Sequence, residues 1–315
     1  MIKRLRNSRA ETDDLAENKL TKTLIAKVIF MRQRIISAGV GIAILFVVMF
    51  FYTGIVLNIV IGLVAALGVY EILKAVKHTI NHRLLSGTAI LFAFLVPFLI
   101  TFLIDQAKTS THLAIFAVYA FVLCCILLIQ HDRLSINQVG MVFMMSVIIP
   151  EALGCLVRMR DIYDQRHIGF FYILIALASA WIADAGAYFA GSIFGKTKLA
   201  PKISPKKTVE GLIGGVIVNV IVLVLLAFGY EQISHAIGGA VKINYIALMI
   251  IGIPSALIGT VGDLTFSLIK RQNGIKDFGT LMPGHGGILD RFDSAIFTVP
   301  FFYLVLNFVD VVTVL

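Results

Sequence analysis

Asp263, Ser267, Lys270 and Arg271 stand at i, i+4, i+7 and i+8, a spacing that puts all four on one helical face. Asp290 and Asp293 follow at i, i+3, sharing a face where the next apolar segment opens. Between the two groups runs PGHGG at 283–287. Glycines there let the backbone turn and present N–H groups to an anion, and the dipole of the following helix adds to that. Three carboxylates able to converge, beside Lys and Arg, suit Mg²⁺ held against phosphate, because Mg²⁺ takes hard oxygen ligands, keeps several waters and bridges substrate oxygens. Each piece also has an ordinary reading. Asp263 would form a structural ion pair with Lys270 or Arg271. Asp290 and Asp293 would cap a helix and offset its dipole. His285 would hydrogen-bond a phosphate or act as an acid, or else pack on Pro283.

A second group lies upstream. Asp184 and Tyr188 are i, i+4 in an otherwise apolar segment, and an intramembrane Asp is a functional-site candidate by default. Ala183, Ala187, Ala190 and Gly191 would let a neighbouring helix pack closely. The connection at 194–207 carries Lys196, Lys198, Lys202, Lys206 and Lys207. Ser204, Lys206 and Lys207 suit phosphate, with lysine acting as a point charge; the same lysines would also set topology beside anionic lipid. Thr208 or Ser204 would cap the following helix, with Glu210 in its first turn.

These residues need a frame, and the composition says which kind. The 315 residues are 59% hydrophobic and 14% charged, with a mean hydropathy of +0.94. A soluble domain is about 25% charged, so this chain cannot supply a polar coat and reads as an integral membrane protein. The net charge of +9 fits cytoplasmic loops and anionic lipid heads rather than nucleic acid. Cys124, Cys125 and Cys155 lie in apolar runs without metal-ligand spacing, so they read as small hydrophobes and not as a disulfide framework.

A spanning helix needs about 20 mostly apolar residues. The sequence predicts an all-α polytopic protein with nine spans, near 35–52, 54–73, 84–104, 112–130, 137–157, 168–193, 209–229, 244–269 and 288–310. Pro150 and Glu151 weaken the fifth, and an eight-span alternative makes it re-entrant. With the N-terminus cytoplasmic, the Lys/Arg-bearing loops 73–83, 131–137, 194–207 and 270–287 fall inside and the C-terminus outside. Arg158, Arg160 and Arg166 run against that rule. Three regions follow: a mixed-charge cytoplasmic arm at 1–33, with a surface-lying amphipathic helix near 20–30 as one reading; an N-terminal membrane region at 34–167; and a C-terminal catalytic region at 168–315.

The 267–293 stretch closely resembles the signature of phosphatidate cytidylyltransferases, the CDP-diacylglycerol synthases. Its elements stand in order: Ser267, Lys270-Arg271, Lys276-Asp277, Gly279, Pro283, His285-Gly286-Gly287, Asp290-Arg291 and Asp293. The run 184–211, with GKTKLAPKISPKKTVEG, is similar to the same family. Resemblance covers 180–310 and is compositional before that. It implies the reaction of CTP with phosphatidate to give CDP-diacylglycerol and pyrophosphate, with Mg²⁺ and room for a second cation, K⁺ or Mg²⁺. It implies a homodimer in the plasma membrane with its site at the cytoplasmic side. It makes Asp263 and Asp290 metal ligands with Asp293 in support, and Lys270, Arg271, Lys276 and Arg291 phosphate contacts. Asp184, Tyr188, Ser204, Lys206, Lys207, Ser267, Asp277, Gly286 and Gly287 complete the expected substrate site, and His285 the catalytic set.

Other readings are a membrane kinase of polyprenol or isoprenoid alcohols, and a transporter or channel for an anionic solute. The second is disfavoured because the charges gather on one side and no internal repeat is seen. A CDP-alcohol phosphotransferase is disfavoured because its DG-x-x-AR pattern is missing from the sequence.

Overall fold

The computed structural model describes residues 39, 51–52, 54–76, 82–104, 109–162, 166–281 and 286–314. The expected arm at 1–33, nearly all of the first span and His285 lie outside the described residues.

The helices are α1 (Ile55–Ala75), α2 (Arg83–Leu99, continued as a π turn over Ile100–Ile104), α3 (Thr109–Ile129), α4 (Ile136–Asp161), α5 (Arg166–Phe194), α6 (Val209–Ala236), α7 (Tyr245–Gln272), α8 (Leu289–Phe292) and α9 (Ala295–Leu306). Among the described residues, seven helices are long and apolar enough to cross a membrane, and they match the second to eighth expected spans. The fifth span is one continuous helix of 26 residues with Pro150 inside it, which does not fit the re-entrant alternative. The ninth span differs from expectation. It is divided into the four-residue α8 and the twelve-residue α9, with the buried Asp293 and Ser294 between them still at right-handed helical backbone angles.

The all-α expectation needs a second correction. Strands β1 (Lys198–Ala200) and β2 (Ser204–Thr208) form an antiparallel pair between α5 and α6, with Lys198 opposite Thr208. At the far end of α6, β3 (Val241–Ile243) pairs with β4 (Val312–Val314). Both pairs give backbone groups hydrogen-bond partners where the chain reverses at a bundle end. In β2 Pro205 and Lys206 are exposed, while Lys207 is half-buried and Thr208 buried.

Local sequence sets the helix starts. Ser135 and Gln138 form a capping box on α4. Thr208 caps α6 by accepting from the Gly211 N–H at 3.1 Å, as one of the sequence readings held. Glu210 then accepts the N–H groups of Lys196 and Thr197 and ties the end of α5 to the start of α6.

Packing between α5 and α6 uses the small residues singled out above. A Cβ on Gly215 would sit 2.7 Å from the Ala183 carbonyl oxygen, and one on Gly211 2.7 Å from that of Ala187. The two backbones therefore meet directly, as small-residue interfaces in membranes allow.

The helices alternate between two ends. At one end α1 finishes beside 287–289, which Glu71 contacts. At the other, Arg160 near the end of α4 reaches the start of α1 and the π turn after α2. Two of the three exceptions to the charge rule find a reason here. Arg158 pairs with Glu151 at 3.1 Å and Arg160 with Asp161 at 2.8 Å, so both are neutralised within the bundle.

Candidate active site

Four elements bring the chemistry together. From α5 come Asp184 and Trp181, from β2 Lys207, from α7 Asp263, Ser267 and Lys270, and from the α8 region Asp290, Asp293 and Ser294. Asp263, Ser267 and Lys270 do share a face; Ser267 and Lys270 are buried and Asp263 is half-buried. Arg271 leaves the group. Its guanidinium donates to the carbonyls of Ile203 and Ile275 at 3.4 and 3.3 Å, which moors the β1–β2 hairpin to the end of α7.

The ion pairs differ from either simple reading of the sequence. Asp263 pairs with Lys207 from the hairpin, not with Lys270 or Arg271. The same ammonium stands 3.5 Å from Asp184. Burial pulls the pKa of Lys207 down, but Asp263 and then Asp184 outweigh it, and the net shift is upward. Lys207 therefore stays charged at neutral pH. Asp293 lies within electrostatic reach of Asp263, Lys270 and Asp184. Gly262 makes this possible: a Cβ there would sit 2.8 Å from the Asp293 carbonyl oxygen, so α7 and the α8–α9 junction approach closely. Ser294 is buried and hydrogen-bonds to Asp184.

Asp290 stands apart. Its Oδ1 accepts from Lys270 at 2.8 Å, and its Oδ2 accepts the N–H groups of Phe278 and Gly287, both at 2.9 Å. The pair is enclosed, with the two side chains 9% and 4% exposed, and the Lys270 ammonium also lies 5.3 Å from the Phe278 ring centre. Asp290 thus ties Phe278 to Gly287. Gly286, at φ 88°, turns in the left-handed region against this carboxylate, where a Cβ would come within 2.8 Å of Oδ2.

The expected metal trio is not brought together as one ligand set. Among the described residues no three His, Cys, Asp or Glu side chains are grouped to hold a metal. The acceptor oxygens of Asp290 are already engaged. The donor chemistry nearest to a metal site is instead Asp184 and Asp263, joined through one ammonium, with Asp293 beside them. Three carboxylates here stand against one ammonium, that of Lys207, a donor set that a hard divalent cation suits.

A cleft of about 350 Å³ opens beside this cluster, lined by Asp184, Tyr188, Ser192, Lys198, Lys206 and Lys207 among others. Tyr188 and Lys206 are exposed in it and Ser204 is partly buried in the hairpin. Lys276, Asp277 and Arg291 are exposed and are not part of the buried cluster. The Arg291 carbonyl instead accepts the Trp181 indole N–H at 3.0 Å, joining α5 to α8. His285 is outside the described residues.

Sequence reasoning missed Glu71. It is buried and accepts the N–H groups of Ile288 and Leu289 at 3.1 and 2.8 Å. The signal was present: a lone carboxylate in an apolar span, the same pattern that picked out Asp184. Ser294 and Trp181 had no comparable signal.

Known proteins are similar to this chain. The profile of the cytidylyltransferase family matches residues 32–309. The chain is similar to a phosphatidate cytidylyltransferase of Bacillus subtilis, 32% identical over 88% of this chain and 97% of that protein. It is similar to one of Haemophilus influenzae, 33% identical over 86% of this chain and 97% of that protein. A phosphatidate cytidylyltransferase of Staphylococcus saprophyticus is 36% identical over 46% of this chain and 52% of that protein. With a family match across most of its length, full-length relatives at these identities and the charged cluster at the end of its helical bundle, the chain belongs to the cytidylyltransferase family.

Proposed function

We infer that the chain is a phosphatidate cytidylyltransferase. A phosphate oxygen of phosphatidate attacks the α-phosphorus of CTP. The bond from that phosphorus to the bridging oxygen of the β-phosphate breaks, and pyrophosphate leaves. The products are CDP-diacylglycerol and pyrophosphate.

The observation that carries the reading is Lys207, held between Asp184 and Asp263 at the edge of a lysine-lined cleft. An ammonium fixed there is ready to donate to phosphate oxygens, and Lys206 and Lys198 add charge at the mouth. Lys270 is already bound to Asp290, so its part is to keep that carboxylate, and the Phe278 and Gly287 amides it holds, aligned beside the cluster. Phosphoryl-type transfer asks mainly for positioning and electrostatic stabilisation, and this arrangement supplies both.

Asp184 and Asp263, with Asp293 in electrostatic reach, would draw Mg²⁺, whose other ligands would be waters and phosphate oxygens, and it would supply charge neutralisation of the triphosphate when bound. One Mg²⁺ would answer to the carboxylates that outnumber Lys207; a second cation, K⁺ or Mg²⁺, would answer to the charge of the phosphates themselves. Asp290 is assigned here to loop anchoring rather than to metal. The catalytic region is 168–315 with Glu71 added from α1. The membrane is the plasma membrane, the site faces the cytoplasm and the protein works as a homodimer. Loops rich in lysine at the site end favour that orientation.

The test is direct. Protein purified in detergent, given labelled CTP, phosphatidic acid and Mg²⁺, is expected to form CDP-diacylglycerol, and chelation to stop it. Folded protein that forms no product above background would overturn the reading.

A further inference from the structure

We propose that Glu71 is a positioning residue for this reaction, a strut from α1 that fixes the backbone carrying Asp290 and Asp293. The activity arm of this proposal rests on the cytidylyl-transfer reading.

The N–H groups of Ile288 and Leu289 find no acceptor in their own segment. Ile288 precedes α8 and offers no side-chain cap. Glu71, more than 200 residues earlier, reaches in instead. Its Oε1 takes the Ile288 N–H and its Oε2 the Leu289 N–H, while Asp290 takes the Gly287 N–H from the other side. Three consecutive amides are thus held by two carboxylates, one of which also binds Lys270.

The space around Glu71 is shaped for it. A Cβ on Gly279 would sit 2.3 Å from Oε1, and one on Gly287 2.3 Å from Oε2. Both glycines belong to the charged stretch at 267–293, so this part of the loop is built around a side chain from a distant helix. Burying a carboxylate next to Asp290 is costly, since like charges repel and water is excluded. A glutamine would relieve that cost but offers one acceptor oxygen for two amides. The carboxylate is the group that holds both.

Loss of the strut frees the backbone at 287–289. The Lys270–Asp290 pair and Asp293 then lose their fixed place relative to Asp263. A misplacement of about 1 Å is enough to cost about 100-fold in rate.

The experiment compares Glu71→Gln, Glu71→Asp and Gly279→Ala with the parent in detergent. It reads kcat, KM for CTP and backbone hydrogen exchange. In Glu71→Gln, kcat is expected to fall about 100-fold with KM for CTP unchanged within about twofold. Exchange is expected to rise over 286–292 and to stay unchanged around Arg160 at the other end. Glu71→Asp keeps both acceptors with a shorter reach and is expected to recover part of kcat. Gly279→Ala displaces the carboxylate without removing it, and should give the same pattern even where Glu71→Gln fails to fold. Parent-like kcat in Glu71→Gln, unchanged exchange over 286–292, or a rise spread through the whole chain would each overturn the proposal. If the parent itself makes no CDP-diacylglycerol, the cytidylyl reading falls, and the exchange measurement still decides whether Glu71 holds the segment.

Discussion

Both ends of the helical bundle bury charge, and they balance it differently. At one end Arg158 meets Glu151, which also faces His112 at 3.4 Å. Arg160 meets Asp161, and its remaining N–H groups go to Asn58 at 2.8 Å, Thr101 at 3.2 Å and the Gly54 carbonyl at 3.3 Å. Donors and acceptors there come out even, and the cluster staples α1, the end of α2 and α4. At the other end one ammonium, Lys207, serves two carboxylates, and a third, Asp293, stands close by. An even cluster has nothing left to offer a ligand. A cluster with carboxylates in excess is stable when a cation joins it, and that is the difference between a fastening and a site.

The largest expected effect comes from changing the uneven end. Asp263→Asn is predicted to lower kcat by about 1,000-fold, the scale of a lost electrostatic contact at a transition state, while thermal stability is retained because Lys207 keeps Asp184. Asp290→Asn is predicted to lower turnover and the thermal midpoint together, since Lys270 would lose its buried partner. Equal behaviour of the two variants would erase the distinction drawn between a cluster carboxylate and a loop anchor. The even end is expected to respond the other way. Arg160→Met should reduce unfolding stability by about 1–2 kcal/mol, because Asn58 and Thr101 lose a donor, while kcat per folded molecule holds. A large fall in kcat with stability intact would show that this end does more than fasten. The last prediction concerns sidedness and carries no energy. In intact cells, with native cysteines replaced by alanine, Lys202→Cys should resist an impermeant thiol reagent and Lys242→Cys should react. The reverse pattern would invert the topology.

Much of this was legible beforehand. The apolar runs marked the second to eighth spans because a helix in hydrocarbon must satisfy its own backbone and show lipid an apolar surface. The charged stretch at 267–293 was found for the complementary reason, that charge beside lipid is costly without a use. Helical spacing placed Asp263, Ser267 and Lys270 together correctly, but it also placed Arg271 with them. Spacing fixes direction around an axis; it does not say that a long side chain near a helix end will bend back to carbonyls at 203 and 275. The strand at 204–208 was read as a loop, because five residues with proline and two lysines carry little apolar periodicity. A loop reading does not separate the exposed Lys206 from the half-buried Lys207.

From the sequence alone came the membrane class, the family and the list of chemically able residues, since composition, period and ordered motifs are properties of the chain itself. The pairings came only with the tertiary structure. Lys207 rather than Lys270 meets Asp263, Asp290 is spent on Lys270 and two amides, and Glu71 crosses from α1 to hold 288 and 289. Those choices depend on how closely helices approach, and the approach is set at Gly211, Gly215 and Gly262, where backbone meets backbone. Which of several nearby charges pair is decided by distance and burial, and neither exists until the helices have packed.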